Sequence, residues 1–146
     1  QGEYDAIILA CAGLIRLGCE DRIKQPLDAQ TSLPAVGQGA LGIENRKGDE
    51  TVRELIKPLI DSKTMTEVLA ERAMNATLEG SCSVAIAGYA ATMGEELLLK
   101  GLVGNVESGS ILRAESTGSI SQPGALGELV ANQLLAIGAG KLLEGV

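Results

Sequence analysis

The hydrophobic period of this chain changes near Val84, and that change most narrows the folds open to it. Downstream, residues 84–91, 96–103 and 110–116 read as strands of apolar and β-branched residues. Met93-Gly94-Glu95 and Glu107-Ser108-Gly109 separate them, and Gly-bearing links of this length close antiparallel hairpins. A helix follows Pro123, with Leu126, Leu129, Val130, Leu134 and Ile137 at helical spacing and Gly138 as its stop. Residues 139–143 add a short final helix. Upstream of the sheet the period is helical from Thr64, whose spacing to Glu67 is that of a capping box. Val68, Leu69, Ala73 and Ala76 form its inward stripe, and Glu67, Glu71 and Arg72 are expected to face solvent. Residues 62–146 thus predict a small α+β domain, a three-stranded antiparallel sheet with helices.

The first 61 residues read differently. Residues 6–10, Ala-Ile-Ile-Leu-Ala, form a continuous apolar run suited to a strand covered on both faces, as in a parallel α/β sheet. A glycine turn leads to a short helix ending at Gly18. Residues 20–32 are polar, contain Pro26 and read as loop. Leu33-Pro34 begins an extended crossing segment, in which Gly37, Gly39 and Gly42 let the backbone approach another surface closely. A strand resumes over 40–44. A helix is expected over 51–60, with Val52, Leu55, Ile56 and Leu59 on one face and Pro58 ending or kinking it. No complete sheet can be assembled from these elements. They read as the tail of an α/β assembly, and the abrupt start in an apolar strand predicts a piece of a longer chain. The expected division is 1–36, 37–61 and 62–146.

Composition excludes several chemistries. Histidine is absent from the 146 residues, which rules out a Ser-His-Asp triad, a Cys-His pair and a His-ligated metal within this chain. The net charge is −7 and no basic cluster interrupts it, so nucleic acid is not an expected partner. No apolar run reaches membrane-spanning length. Phe and Trp are absent, so aliphatic side chains must fill the core. The cysteines Cys11, Cys19 and Cys82 are odd in number and fit no metal spacing. They indicate a reducing, cytoplasmic setting. Cys11, in its apolar run, reads as a small core residue, and Cys19 as partly exposed and incidental.

Three positions carry candidate chemistry. Cys82 lies in Gly80-Ser81-Cys82-Ser83, between a helical pattern and a strand. It can be a buried structural cysteine, or a loop thiolate whose nucleophilicity its neighbours raise. Without histidine, covalent attachment of a cofactor is simpler chemistry than hydrolysis. The Gly37-Gln38-Gly39-Ala40-Leu41-Gly42 stretch has the look of a dinucleotide fingerprint, but it precedes a strand instead of following one. A hinge or a backbone contact to a ligand fits better, with Gln38 able to donate and accept hydrogen bonds. Arg16 follows the first apolar run and its glycine turn, where α/β folds place ligands. It can grip a carboxylate with two prongs or stand solvated on its helix.

Taken in order, these stretches resemble the porphobilinogen deaminase (hydroxymethylbilane synthase) family. Tyr4-Asp5-Ala6-Ile7-Ile8-Leu9-Ala10, Ala12-Gly13-Leu14 and Arg16-Leu17-Gly18 resemble its second domain. Residues 33–44 resemble the segment crossing back to its first domain. Ala70-Glu71-Arg72-Ala73 and Leu78-Glu79-Gly80-Ser81-Cys82 resemble its cofactor-attachment region. Gly88-Tyr89-Ala90 and Leu99-Lys100-Gly101-Leu102-Val103 continue the likeness through its third domain. The likeness is to the C-terminal half of the family. It implies a two-lobed, periplasmic-binding-protein-like α/β assembly ahead of the small α+β domain. It implies a transferase of haem biosynthesis that joins four porphobilinogens head to tail, with loss of ammonia, through oligopyrrole intermediates. The resemblance makes Cys82 the thioether anchor of a dipyrromethane cofactor. It places Gln38 and Gly39 at the cofactor, and Arg16 at substrate carboxylates. The family's catalytic aspartate belongs to the N-terminal half, so no catalytic residue and no metal ligand is expected here. The isolated chain is expected to be inactive, its partner the missing half, and the whole enzyme a monomer. Ser81 and Ala85 replace a frequent glycine and a frequent proline, and Ile15 occupies a site that is often basic. The alternative is a non-enzymatic small-ligand-binding module with an inert Cys82.

Overall fold

Burial alternates with period two along residues 96–103 and 111–119 and so separates a core face from an outer face. The computed structural model describes residues 2–79 and 85–143, in two compact units, 1–32 and 33–146. In the second unit, β1 (Ala85–Met93), β2 (Glu96–Gly104) and β3 (Ile111–Ser119) form an antiparallel sheet in the order β1-β2-β3. Gly94 and Gly109 have φ of 65° and 66° in the two links, a conformation that favours glycine. The sheet is the expected one, with strands extended by one to three residues.

Two helices cover the core face. α3 (Ser62–Thr77) and α4 (Pro123–Ala136) pack on each other and on the sheet, and α5 (Ala139–Leu143) closes the end. The largest fully buried side chains are Met74, Leu97, Leu99, Leu134, Val103 and Val130, all aliphatic or thioether. Unbranched Met74 fills the gap that a ring might otherwise fill. It has room because the sheet row beneath it, Gly88-Gly101-Ala114, is almost bare. A Cβ at Gly101 would stand 2.5 Å from Met74 Sδ and 3.0 Å from Val130 Cγ1. The two helices touch through Gly127, where a Cβ would stand 2.6 Å from Ala73 Cβ and 2.7 Å from the Met74 nitrogen.

The stripe of α3 differs from the expected one. Its buried residues are Ala70, Glu71 and Met74, with Leu78 just beyond, while Leu69 and Ala76 are exposed. Its start also differs. Asp61, not Thr64, is the cap, and its carboxylate accepts the Thr64 N–H at 2.7 Å. Glu67 is half-buried and Glu71 is buried, which corrects the expectation that both face solvent; Arg72 is exposed. On α4, Leu126, Val130 and Leu134 are buried as expected, whereas Leu129 and Ile137 are exposed.

Ahead of α3, Asp49 caps α2 (Glu50–Ile56) by accepting the Val52 N–H at 3.1 Å. The helix tightens into a 3-10 turn, Lys57–Leu59, at Pro58. The strand expected over 40–44 is absent, and Leu41 and Ile43 are exposed.

The unit of residues 1–32 contains α1 (Cys11–Arg16), ended by Gly18 at φ 67°, and a 3-10 turn, Glu20–Arg22. The strand expected over 6–10 is not formed, and Ile7, Ile8 and Leu9 are exposed. A strand needs a neighbour for its amides, and none pairs with these residues among the described ones. Cys11 is the first residue of α1 and half-buried, not a core residue; Cys19 is half-buried. No helix among the described residues is long and apolar enough to cross a membrane.

Candidate functional site

β1 is an edge strand, and its outward N–H groups need acceptors. Each of the three central ones has one. Gly88 donates to the Pro34 carbonyl at 3.0 Å, Ala90 to Glu71 Oε1 at 2.8 Å, and Thr92 to Glu67 Oε1 at 2.8 Å. The match follows from two periods. Two residues along a strand advance about 6.6 Å, and four along a helix advance about 6.0 Å. Carboxylates four apart on α3 therefore meet alternate amides of β1. The second oxygen of Glu71 turns the other way and accepts the Gly37 N–H at 2.7 Å.

That bond ties the crossing segment to the domain. Residues 36–39 form a turn in which Gln38 donates to the Ala35 carbonyl at 3.0 Å and Ala40 to the Gly37 carbonyl at 3.1 Å. Gly37 and Gly39 have φ of 73° and 87°, so the turn requires glycine twice. Between this turn, α3 and β1 lies an open cleft of about 260 Å³. Gln38, Gly39, Thr64, Glu67, Glu71 and Tyr89 are in its lining. The Gln38 side chain is exposed, and neither its amide nor the Gly39 N–H has a hydrogen-bond partner among the described residues.

Glu71 is only 7% exposed. Its burial pushes the carboxyl pKa above the ordinary glutamate range, against the two backbone N–H bonds that lower it, and the charge of Glu67 raises it further. Lys63 offsets Glu67 weakly, at 3.9 Å. Both oxygens of Glu71 are occupied by amides, so it acts as a tether and not as a free acid or base. The cleft is acidic, and no Lys or Arg lines it among the described residues.

The family model described as porphobilinogen deaminase, dipyromethane cofactor binding domain, matches residues 1–54. The model described as porphobilinogen deaminase, C-terminal domain, matches residues 65–136. The chain belongs to the porphobilinogen deaminase family.

Curated relatives agree. The porphobilinogen deaminase of Ruthia magnifica subsp. Calyptogena magnifica is 56% identical over 144 residues, 99% of this chain and 47% of the relative. That of Vesicomyosocius okutanii subsp. Calyptogena okutanii (strain HA) is 53% identical over the same lengths. The chain spans about half the length of the curated relatives it matches.

Of the residues singled out in the sequence, Gln38 and Gly39 come together at the cleft. Arg16 stands exposed in the last turn of α1, without an ion-pair partner among the described residues, in the unit of residues 1–32. Cys82 lies outside the described residues. Sequence reasoning missed Glu67 and Glu71. Their signal was present: a carboxylate at 71 in phase with Met74 and Leu78 sits where an apolar residue belongs, and such a position needs a buried donor.

Proposed function

We propose that this chain is the C-terminal portion of a hydroxymethylbilane synthase, a cytoplasmic transferase of haem biosynthesis. The observation that carries the reading is that models of two successive domains of one enzyme match in chain order, over 1–54 and 65–136. The whole enzyme condenses four porphobilinogens head to tail. Each condensation forms a bond between a pyrrole carbon and an incoming aminomethyl carbon; the aminomethyl C–N bond breaks, the pyrrole carbon loses its hydrogen as a proton, and the amine leaves with one proton more as ammonia. Cys82 anchors the dipyrromethane cofactor through a thioether. When bound, that group would supply the pyrrole carbon that primes the condensation.

The free Gln38 amide and Gly39 N–H suit this group, because pyrroles bear carboxylate arms that accept hydrogen bonds. Arg16 can hold a substrate carboxylate in two-pronged fashion. No group here serves as the proton-handling catalyst, which belongs to the partner half. Residues 1–36 are the C-terminal part of the second domain of a two-lobed α/β assembly completed by that half, 37–61 the crossover and return segment to its first domain and 62–146 the cofactor-anchoring α+β domain, and the complete enzyme is a monomer.

An intact mass spectrum of the full-length protein, native and then denatured, tests the reading. The expected result is the mass of two linked pyrrole units, retained on denaturation and lost in Cys82→Ser. A bare Cys82 in active full-length protein would reject the anchor, and a bare Cys82 without activity would favour a ligand-binding module. Turnover of porphobilinogen by the 146-residue chain alone would overturn its expected inactivity.

A further inference from the structure

The crossing segment is held at three successive points. The Pro34 carbonyl takes the Gly88 N–H, and the Gly37 N–H meets Glu71 Oε2. Between them Val36 packs on the core, its Cγ2 3.3 Å from where a Gly88 Cβ would stand. Beyond Gly37 the described bonds of the turn stay within residues 35–40, from the Gln38 N–H to the Ala35 carbonyl and from the Ala40 N–H to the Gly37 carbonyl. The Gly37–Glu71 bond is therefore the last fixed point before Gln38 and Gly39. Glu71 is in turn held by the Ala90 N–H, so the turn is referenced to the sheet edge through one carboxylate. Glu67, one helical turn earlier, makes the same kind of bond to β1 but has no hydrogen bond to the crossing segment among the described residues.

We propose that Glu71 is the positioning residue of the 36–39 turn, setting the Gln38 amide and the Gly39 N–H toward the cofactor. The inference rests on the reading of Gln38 and Gly39 as cofactor contacts. Glutamate fits this task where glutamine does not. A carboxylate offers an acceptor on each oxygen, whereas an amide nitrogen can only donate and would face one of the two N–H groups. Aspartate keeps two acceptors but is one methylene shorter, so it cannot reach Gly37 and Ala90 together. Glu67→Gln supplies the control. It disturbs the same edge of β1 and leaves the turn alone.

The test compares Glu71→Gln, Glu71→Asp, Glu67→Gln and Gln38→Ala in full-length, cofactor-loaded protein. Two quantities are read: hydrogen exchange of the 36–39 amides, and kcat and KM for porphobilinogen. In Glu71→Gln, exchange at Gly37 is expected to rise at least tenfold and kcat/KM to fall at least tenfold, as in Gln38→Ala. Glu67→Gln is read by exchange alone and should leave the Gly37 amide within about twofold of the parent, because its carboxylate bonds to Thr92 and not to Gly37. If Glu71→Gln fails to fold, Glu71→Asp carries the same expectation. A fall in Gln38→Ala with no greater rise of Gly37 exchange in the Glu71 variants than in Glu67→Gln would overturn the positioning role alone. No effect in Gln38→Ala would instead overturn the reading of Gln38 as a contact, and the proposal with it.

Discussion

Glu71 is a buried carboxylate with its needs met by main-chain amides, and its ionisation couples to folding. Its carboxyl holds a proton more tightly when folded, because desolvation outweighs the two N–H bonds. That contribution to stability is complete below the ordinary glutamate pKa, about 4.3, and is lost as pH rises through the raised folded value. Asp61 works in the opposite sense. Its bonds from Thr64 hold it below the ordinary range, so its contribution is complete above the unfolded value and is lost as pH falls through the folded one. The charge of Glu67, one helical turn earlier, raises the Glu71 value, and residues 33–43 carry no titratable side chain. Denaturant titrations at stepped pH check both signs. Glu71→Gln should cost about 1–3 kcal/mol through its unpaired amide, and the gap from the parent should narrow as pH rises above the ordinary glutamate value. Asp61→Asn should remove the decline on the acid side.

Two glycines of α4 separate local propensity from packing. Gly124 has open space around its Cβ position, whereas a Cβ at Gly127 would collide with backbone atoms of α3. In a helix, alanine is favoured over glycine by about 1 kcal/mol. Gly124→Ala should therefore gain about 0.4–1 kcal/mol by restricting the unfolded chain. Gly127→Ala should lose about 1–3 kcal/mol, because the helices must move apart. Thermal unfolding of the two variants gives shifts of opposite sign if the α3–α4 contact is as close as described. The same contact shows why α4 presents Gly127 and Ala131 inward while Leu129 stays exposed. Close helix approach needs small residues at the crossing, a demand that hydrophobic periodicity does not register.

At the level of the molecule, the two units contrast in how their backbones are satisfied. The amides of β2 are paired on both sides, whereas residues 6–10 lie in no sheet among the described residues, with Ile8 77% exposed. Hydrogen exchange on the 146-residue chain should find β2 protected near the global limit and residues 6–10 close to unprotected. If the proposed N-terminal half is the partner, adding it should slow exchange over residues 6–10 and bury the apolar face of α2, where Leu55 is exposed. Equal protection of residues 6–10 and β2 in the chain alone would contradict this contrast.

The three-stranded sheet, its turns at Gly94 and Gly109, the end of α4 and the short α5 were all legible, because local periodicity and glycine chemistry specify them. The family was legible from motif order. Cys82, Gln38, Gly39 and Arg16 entered as candidates on residue type and resemblance; Gln38 and Gly39 line a common cleft, and Cys82 lies outside the described residues. The expected strands at 6–10 and 40–44 failed, because an apolar run states a preference for burial but cannot provide a neighbour. The capping box at Thr64 gave way to Asp61, since two adjacent caps were possible and the first turn selected one. Glu67 and Glu71 were read as solvated charges because sequence alone does not show where an edge strand will leave amides unpaired. Strand and motif identity lie in the chain itself; which carboxylates meet which backbone donors is decided only when helix, sheet and crossing segment come together.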